Sequence, residues 1–132
     1  MIRIGGLWNY ATSQLETIDN TPTIWRTWEH ADAGVDGVDA DADAGTITIK
    51  QPGLYLAYAM LSFIGTTGDT YFAEFRVNGE LGSGFRCCVD GLTGGVSHMS
   101  VMGASRLQKG DVVSLYLYSD NAGGSNITTR ND

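Results

Sequence analysis

Apolar and polar residues alternate with a period of two along much of this chain, and no stretch carries a clear 3.6-residue period. The pattern is plainest in Thr46-Ile47-Thr48-Ile49, which reads as a half-buried strand and is stopped by the tight turn Gln51-Pro52-Gly53. From Leu54 to Phe63 nearly every position is apolar or aromatic. That run is too short to span a membrane and is rich in side chains that suit a pleated surface. A strand apolar on both faces needs cover on both. An opposing sheet supplies one cover, and a neighbouring subunit is the candidate for the other.

The flanking segments repeat the period. Thr23 to His30 places Ile24, Arg26, Trp28 and His30 on one side and Trp25, Thr27 and Glu29 on the other. Thr70 to Val77 sets Tyr71, Ala73, Phe75 and Val77 against Phe72, Glu74 and Arg76, and ends in Asn78-Gly79. Both of those residues tolerate the positive φ of a type I′ turn, so a hairpin is expected, with Leu81, Phe85 and Cys87 on its return arm. Val96 to Ala104 reads as a further strand with apolar residues on both parities. Arg106 to Asp111 is a turn into Val112–Tyr118, where Val113, Leu115 and Leu117 oppose Val112, Ser114, Tyr116 and Tyr118. Two phenols on one face can bury ring area while hydrogen-bonding a partner. After the Asp120–Ser125 loop, Asn126 to Arg130 is a closing strand or a tail. About eight to ten short strands without crossover helices predict an all-β, antiparallel two-sheet sandwich of jelly-roll type. It is expected over residues 23–132, behind an N-terminal arm, residues 1–22, whose Ile4, Leu7, Trp8, Tyr10, Leu15 and Ile18 show no firm period.

Composition narrows the class. At 132 residues the chain is one ordinary domain. Its 18 glycines against two prolines describe strands joined by tight turns. A net charge of -7 excludes a nucleic-acid backbone or an anionic membrane as the main partner. Met1 to Gly6 lacks the basic-then-apolar order of a secretory signal, so synthesis in a cytosol is expected. Cys87 and Cys88 are adjacent, a spacing that strains a mutual disulfide, and read as reduced thiols with at least one packed as a small hydrophobe.

Candidate chemistry is sparse. Ala31 to Gly45 carries Asp32, Asp36, Asp39, Asp41 and Asp43, and alternating carboxylates invite a calcium reading at Asp39, Asp41 and Asp43. Counted from Asp39, however, the sixth and twelfth places of an EF-hand loop hold Ala44 and Lys50 instead of glycine and glutamate. A solvated acidic loop and a looser cation site both remain open. The two histidines, His30 and His98, have no Ser or Cys motif beside them and no metal-ligand spacing, so an enzyme is not expected.

The order of motifs, more than any one of them, is distinctive. Pro52, Gly53 and Tyr55, then Val77-Asn78-Gly79, then Leu107, Gly110-Asp111-Val112 and Leu115, resemble the gC1q-like branch of the tumour-necrosis-factor-like jelly rolls across roughly residues 23–130. The resemblance implies a compact homotrimer with aromatic strand faces around a threefold axis. Tyr55, Tyr58, Met60, Tyr116 and Tyr118 are the interface residues it points to. There is no Gly-X-Y stalk, which animal members usually carry. A free-standing acidic version looks like the head decoration (cement) proteins or fibre knobs of tailed bacteriophages. The resemblance therefore implies a virion location on the capsid surface, with the major capsid protein as partner and Ile4, Leu7, Trp8 and Tyr10 as a capsid-binding arm. The alternative is a receptor-binding knob whose loops at Gly65–Asp69 and Asp120–Ser125 hold a cell-surface glycan.

Overall fold

A computed structural model describes residues 6–8, 15–26, 28, 30–31, 37–91 and 95–129, without the side chains of 8, 15, 30 and 82–85. Twelve strands and no helix occur among them. Short strands come first: β1 (Leu7–Trp8), β2 (Leu15–Ile18), β3 (Thr23–Ile24), β4 (His30–Ala31), β5 (Val38–Asp41) and β6 (Thr46–Ile49). The long ones follow: β7 (Gly53–Ile64), β8 (Thr70–Val77), β9 (Glu80–Asp90), β10 (Ser97–Leu107) and β11 (Val112–Ser119), with β12 (Ser125–Thr129) at the end. All pairings are antiparallel. One sheet runs β10-β7-β12-β2 and the other β5-β6-β11-β8-β9, with β3 also on β11; β1 and β4 form a separate two-stranded ribbon.

Turn chemistry places these strands where alternation located them. Asn78 and Gly79 have φ of 54° and 77°, the two positive values a type I′ turn demands, and join β8 to β9. Asn78 also ties this hairpin to the β10–β11 turn. Its backbone N donates to the Val112 carbonyl at 2.8 Å, its Oδ1 accepts from Val112 N at 2.9 Å, and its Nδ2 donates to Asp111 Oδ1 at 3.0 Å. Gln108 N donates to Asp111 Oδ2 at 2.7 Å. These two donors hold the Asp111 carboxyl below its ordinary value, Gln108 contributing more than Asn78.

The core lies between the sheets. Leu61 and Phe63 of β7, Met99 and Val101 of β10, Ile18 of β2 and Ile127 of β12 meet Ile49, Tyr71, Ala73, Phe75, Val113, Leu115 and Leu117 from the other sheet. Phe63 and Tyr71 pack edge to face with centroids 5.0 Å apart. The inward faces of β8 and β11 are those the alternation predicts.

Two expectations change. The segment 23–30 is not one strand: β3 ends at Ile24, and Trp25, whose N still donates to Leu115 O of β11 at 2.8 Å, is buried in the core. Gly45 packs on the Trp25 carbonyl so closely that any Cβ there would collide with it, at a φ of +68° that also favours glycine. The boundary at residue 22 moves as well. β2 pairs with β12 from Leu15 opposite Thr128 to Ile18 opposite Ser125, and Ile18 is a core residue, so this part of the expected arm is built into the domain.

Candidate interaction faces

β7 explains why one sheet face stands out. Its inward row is Tyr55, Ala57, Ala59, Leu61 and Phe63, and its outward row is Leu54, Leu56, Tyr58, Met60, Ser62 and Ile64. β10 runs beside it over the whole length, from Leu107 opposite Gly53 to Ser97 opposite Phe63, and sets Met102 against Tyr58 and Ala104 against Leu56. Among the described residues nothing covers this row. Leu54, Leu56, Met60 and Met102 are 62–69% exposed and Tyr58 is 58% exposed. Contiguous apolar surface of this kind on a soluble domain marks an interaction site. Polar groups bound it: Arg106 faces Leu54 at one end, and at the other Ser62 and His98 share a 2.8 Å hydrogen bond. That Ser–His contact lies on an open sheet face, and among the described residues no third group orients the imidazole, as a nucleophile–base pair requires.

The five expected interface residues do not converge. Tyr58 and Met60 are neighbours on the exposed row, where the Tyr58 hydroxyl donates to Met60 Sδ at 3.6 Å. Tyr55 has the opposite parity, packs against the core, and donates its hydroxyl to Gln51 O at 2.7 Å. Tyr116 and Tyr118 are on β11, in the other sheet, where they stand beside Glu74 and Phe72 on its outer face. The family resemblance groups them at one interface; strand pairing assigns them to different layers.

That outer face carries a compact ion and ring cluster. Glu74 is fully buried, and its Oε1 accepts from Arg76 Nη2 at 2.6 Å and Nε at 2.9 Å, while Arg86 Nε reaches Oε2 at 3.4 Å. The Arg76 guanidinium lies 4.7 Å from the Tyr116 ring centre and that of Arg86 5.6 Å from the Tyr118 ring. Phe72 and Tyr118 stack at 4.8 Å. The Tyr118 hydroxyl is buried with no hydrogen-bond partner among the described residues. Burial first, and then the Glu74 charge, raise its pKa above the ordinary 10.0, against the opposing pull of the two arginines. The alternation of Phe72, Glu74 and Arg76 hinted at this cluster, but Arg86 joins only through the β8–β9 register.

The remaining sequence candidates fare unevenly. Asp39 and Asp41 share the outward row of β5 opposite Thr48 and Thr46, and Asp41 Oδ1 accepts from Ala44 N at 3.0 Å to close the turn. Residues two apart on a strand are about 7 Å apart, too far to wrap one ion at ligand distance without help. Among the described residues no three Asp, Glu, His or Cys side chains group as metal ligands, and the calcium reading of Asp39, Asp41 and Asp43 gains no support from this arrangement. Of the arm residues, Leu7 pairs with Ala31 and Trp8 with His30 in the β1–β4 ribbon; Ile4 and Tyr10 lie outside the described residues. Cys87 packs on the core while Cys88 is exposed. The two loops expected to form a knob are brought together: Asn121 Nδ2 donates to Asp69 Oδ2 at 3.2 Å and Thr70 N to Asp120 Oδ1 at 2.9 Å.

The sequence matches no protein-family model and no curated protein. Its fold does have solved relatives. An Eiger TNF structure from S. frugiperda aligns over 97% of this chain and 92% of its own, with a TM-score of 0.55 and 10% identity. Murine APRIL at pH 5.0 aligns over 89% of this chain and 98% of its own, with a TM-score of 0.51 and 14% identity. The chain therefore has a TNF-like jelly-roll fold, and at these identities the likeness extends to the fold alone.

Proposed function

We propose that this protein is a non-enzymatic module that joins two further copies of itself through the exposed β7–β10 face, and that the homotrimer decorates the outer surface of a virus capsid as a cement protein on the major capsid protein. One observation carries the self-association: Leu54, Leu56, Tyr58, Met60 and Met102 form an unbroken apolar row that the described residues leave open to water. Hiding such side chains is worth about 1.5–3 kcal/mol each, less the cost of ordering them, and a second and third copy offer the same surface in return. The TNF-like fold supports this reading. The capsid role rests on the resemblance of the sequence to phage decoration domains; threefold presentation would let weak lattice contacts add. Purified protein mixed with undecorated capsids should co-sediment with them and raise the pressure or temperature at which they burst. Absence of binding to every capsid tried, from a protein of confirmed trimeric mass, would remove the capsid role and leave the assembly standing.

A phage-fibre knob is the second reading, and one observation favours it. The Gly65–Asp69 and Asp120–Ser125 loops are hydrogen-bonded into one surface at one end of the sandwich. Fluorescent protein should then label host cells, with label lost on Asn121→Ala; unlabelled hosts would exclude it.

A further inference from the structure

The other side of β7 offers a site of a different kind. Toward the core the strand presents Tyr55, Ala57 and Ala59 before Leu61 and Phe63. Where Leu61 and Phe63 stand, the gap between the sheets is filled and both are buried. At Ala57 and Ala59 the side chains are single methyl groups, and sheets packed about 10 Å apart are not bridged by methyls. A cavity of ≈ 170 Å³ results, walled by Ile47, Ile49, Phe75 and Leu115 of the opposite sheet. Half-buried Leu7 and Trp28 border it.

We propose that this cavity binds a small, uncharged, apolar molecule, of the size of a single aromatic ring or a short branched alkyl group. Its volume matches the roughly 150 Å³ apolar cavity that stays dry and takes up benzene or xenon. Two of the polar side chains that border it are already engaged: the Tyr55 hydroxyl donates to Gln51 O, and Trp28 Nε1 donates to Trp25 O at 3.0 Å, which leaves Ser114 as a further polar side chain on its wall. A polar ligand would therefore lose its water contacts with little replacement, whereas an apolar one exchanges water for the packing contacts that the alanines leave unmade. Ligand and self-association use opposite faces of β7, so the site does not depend on the proposed trimer.

Benzene titrated into the full-length protein should raise the melting temperature in a saturable way, by about 3 °C when the site is filled. Ala59→Leu, which grows a side chain into the space, should abolish the rise, while Met102→Glu on the exposed row of β10, outside the cavity lining, should keep it. Because Ala59→Leu can fail to fold, the unmodified protein provides a second readout: the 19F signal of fluorobenzene should broaden on binding and sharpen again when benzene displaces it. A melting temperature that never rises saturably, a rise equal in Ala59→Leu, or fluorobenzene that benzene does not displace would each overturn the proposal.

Discussion

Glu74 is the side chain with most at stake in the outer sheet. It is wholly buried, whereas the side chains of its partners Arg76 and Arg86 retain 21% and 52% exposure, so the arginines can be rehydrated and the carboxylate cannot. Removing a cation should therefore cost more than removing the anion. Arg76→Met should destabilise by about 3 kcal/mol, the lower end for breaking a buried pair because solvent reaches Arg76. Glu74→Gln should cost less, and the double substitution should recover most of the Arg76→Met loss; equal, additive losses in urea melts would show that the pair is not coupled. Tyr118 gives the opposite sign. Among the described residues its buried hydroxyl meets no partner at hydrogen-bonding geometry, and the Arg86 guanidinium over its ring offers only a weak pull, so Tyr118→Phe should keep the Phe72 stack and gain about 1 kcal/mol. Its raised pKa adds a pH dependence. Below pH 10 both folded and unfolded chains hold the phenol proton; above it the unfolded chain releases the proton first, and stability falls until the folded pKa is passed. Tyr118→Phe should remove that alkaline component, which a tyrosinate absorbance titration reports directly. Asp111 acts at the other end of the scale: its lowered pKa stabilises the fold above 3.8 and loses that contribution as the pH falls through the folded value.

Among the elements, those legible in the sequence are the ones whose cause is local. Asn78-Gly79 carries its own backbone preference, Gln51-Pro52 closes the β6 pattern, and the alternating faces of β8 and β11 come from a period that neighbouring residues alone determine. β2 was hidden for the converse reason. Its neighbours carry apolar residues without a firm period and no turn signal marks its start, and its place is set by β12 at the far end of the chain. Trp25 likewise lies just past the end of β3, buried against Gly45 and still bonded to the Leu115 carbonyl of β11, partners that no local pattern announces. A truncation separates arm from domain. Deleting residues 1–20 removes β2 and the core residue Ile18 and should abolish cooperative unfolding, whereas deleting 1–13 spares them and should leave a cooperative melt. Cooperative melting of the longer deletion would show that the four-stranded sheet does without its edge. Gly65 makes a narrower case: a Cβ there would lie 2.6 Å from the ring of Tyr71, itself buried and bonded through its hydroxyl to Thr66 N and Ser125. Gly65→Ala should therefore cost about 1–3 kcal/mol by overpacking, read as a lowered urea midpoint.

For the whole molecule, the two tyrosine faces make competing statements about assembly, and sequence parity was unable to separate them. Parity says which side of a strand a residue occupies, but only pairing says which sheet that strand joins. Tyr116 and Tyr118 already have company in Arg76, Arg86, Phe72 and Glu74, so a partner has little apolar area left to gain there. Tyr58, Met60 and Met102 neighbour one another and still stay 58–69% exposed. Tyr58→Glu should consequently raise the dissociation constant of the assembly by at least ~100-fold, the scale of a central interface residue, whereas Tyr116→Glu should leave its mass unchanged. Salt supplies an independent handle on the same interface. Each copy carries a charge of -7, so copies brought together repel, while the row proposed to join them is apolar and gains nothing from ions. Association should tighten as sodium chloride rises from 20 to 300 mM, the reverse of an interface held by ion pairs, and Tyr58→Glu should lose the association at every salt concentration. Sedimentation of the two variants across that range distinguishes the faces: dissociation by Tyr116→Glu, with Tyr58→Glu still assembled, would move the contact to the outer sheet and leave the β7–β10 row needing another partner.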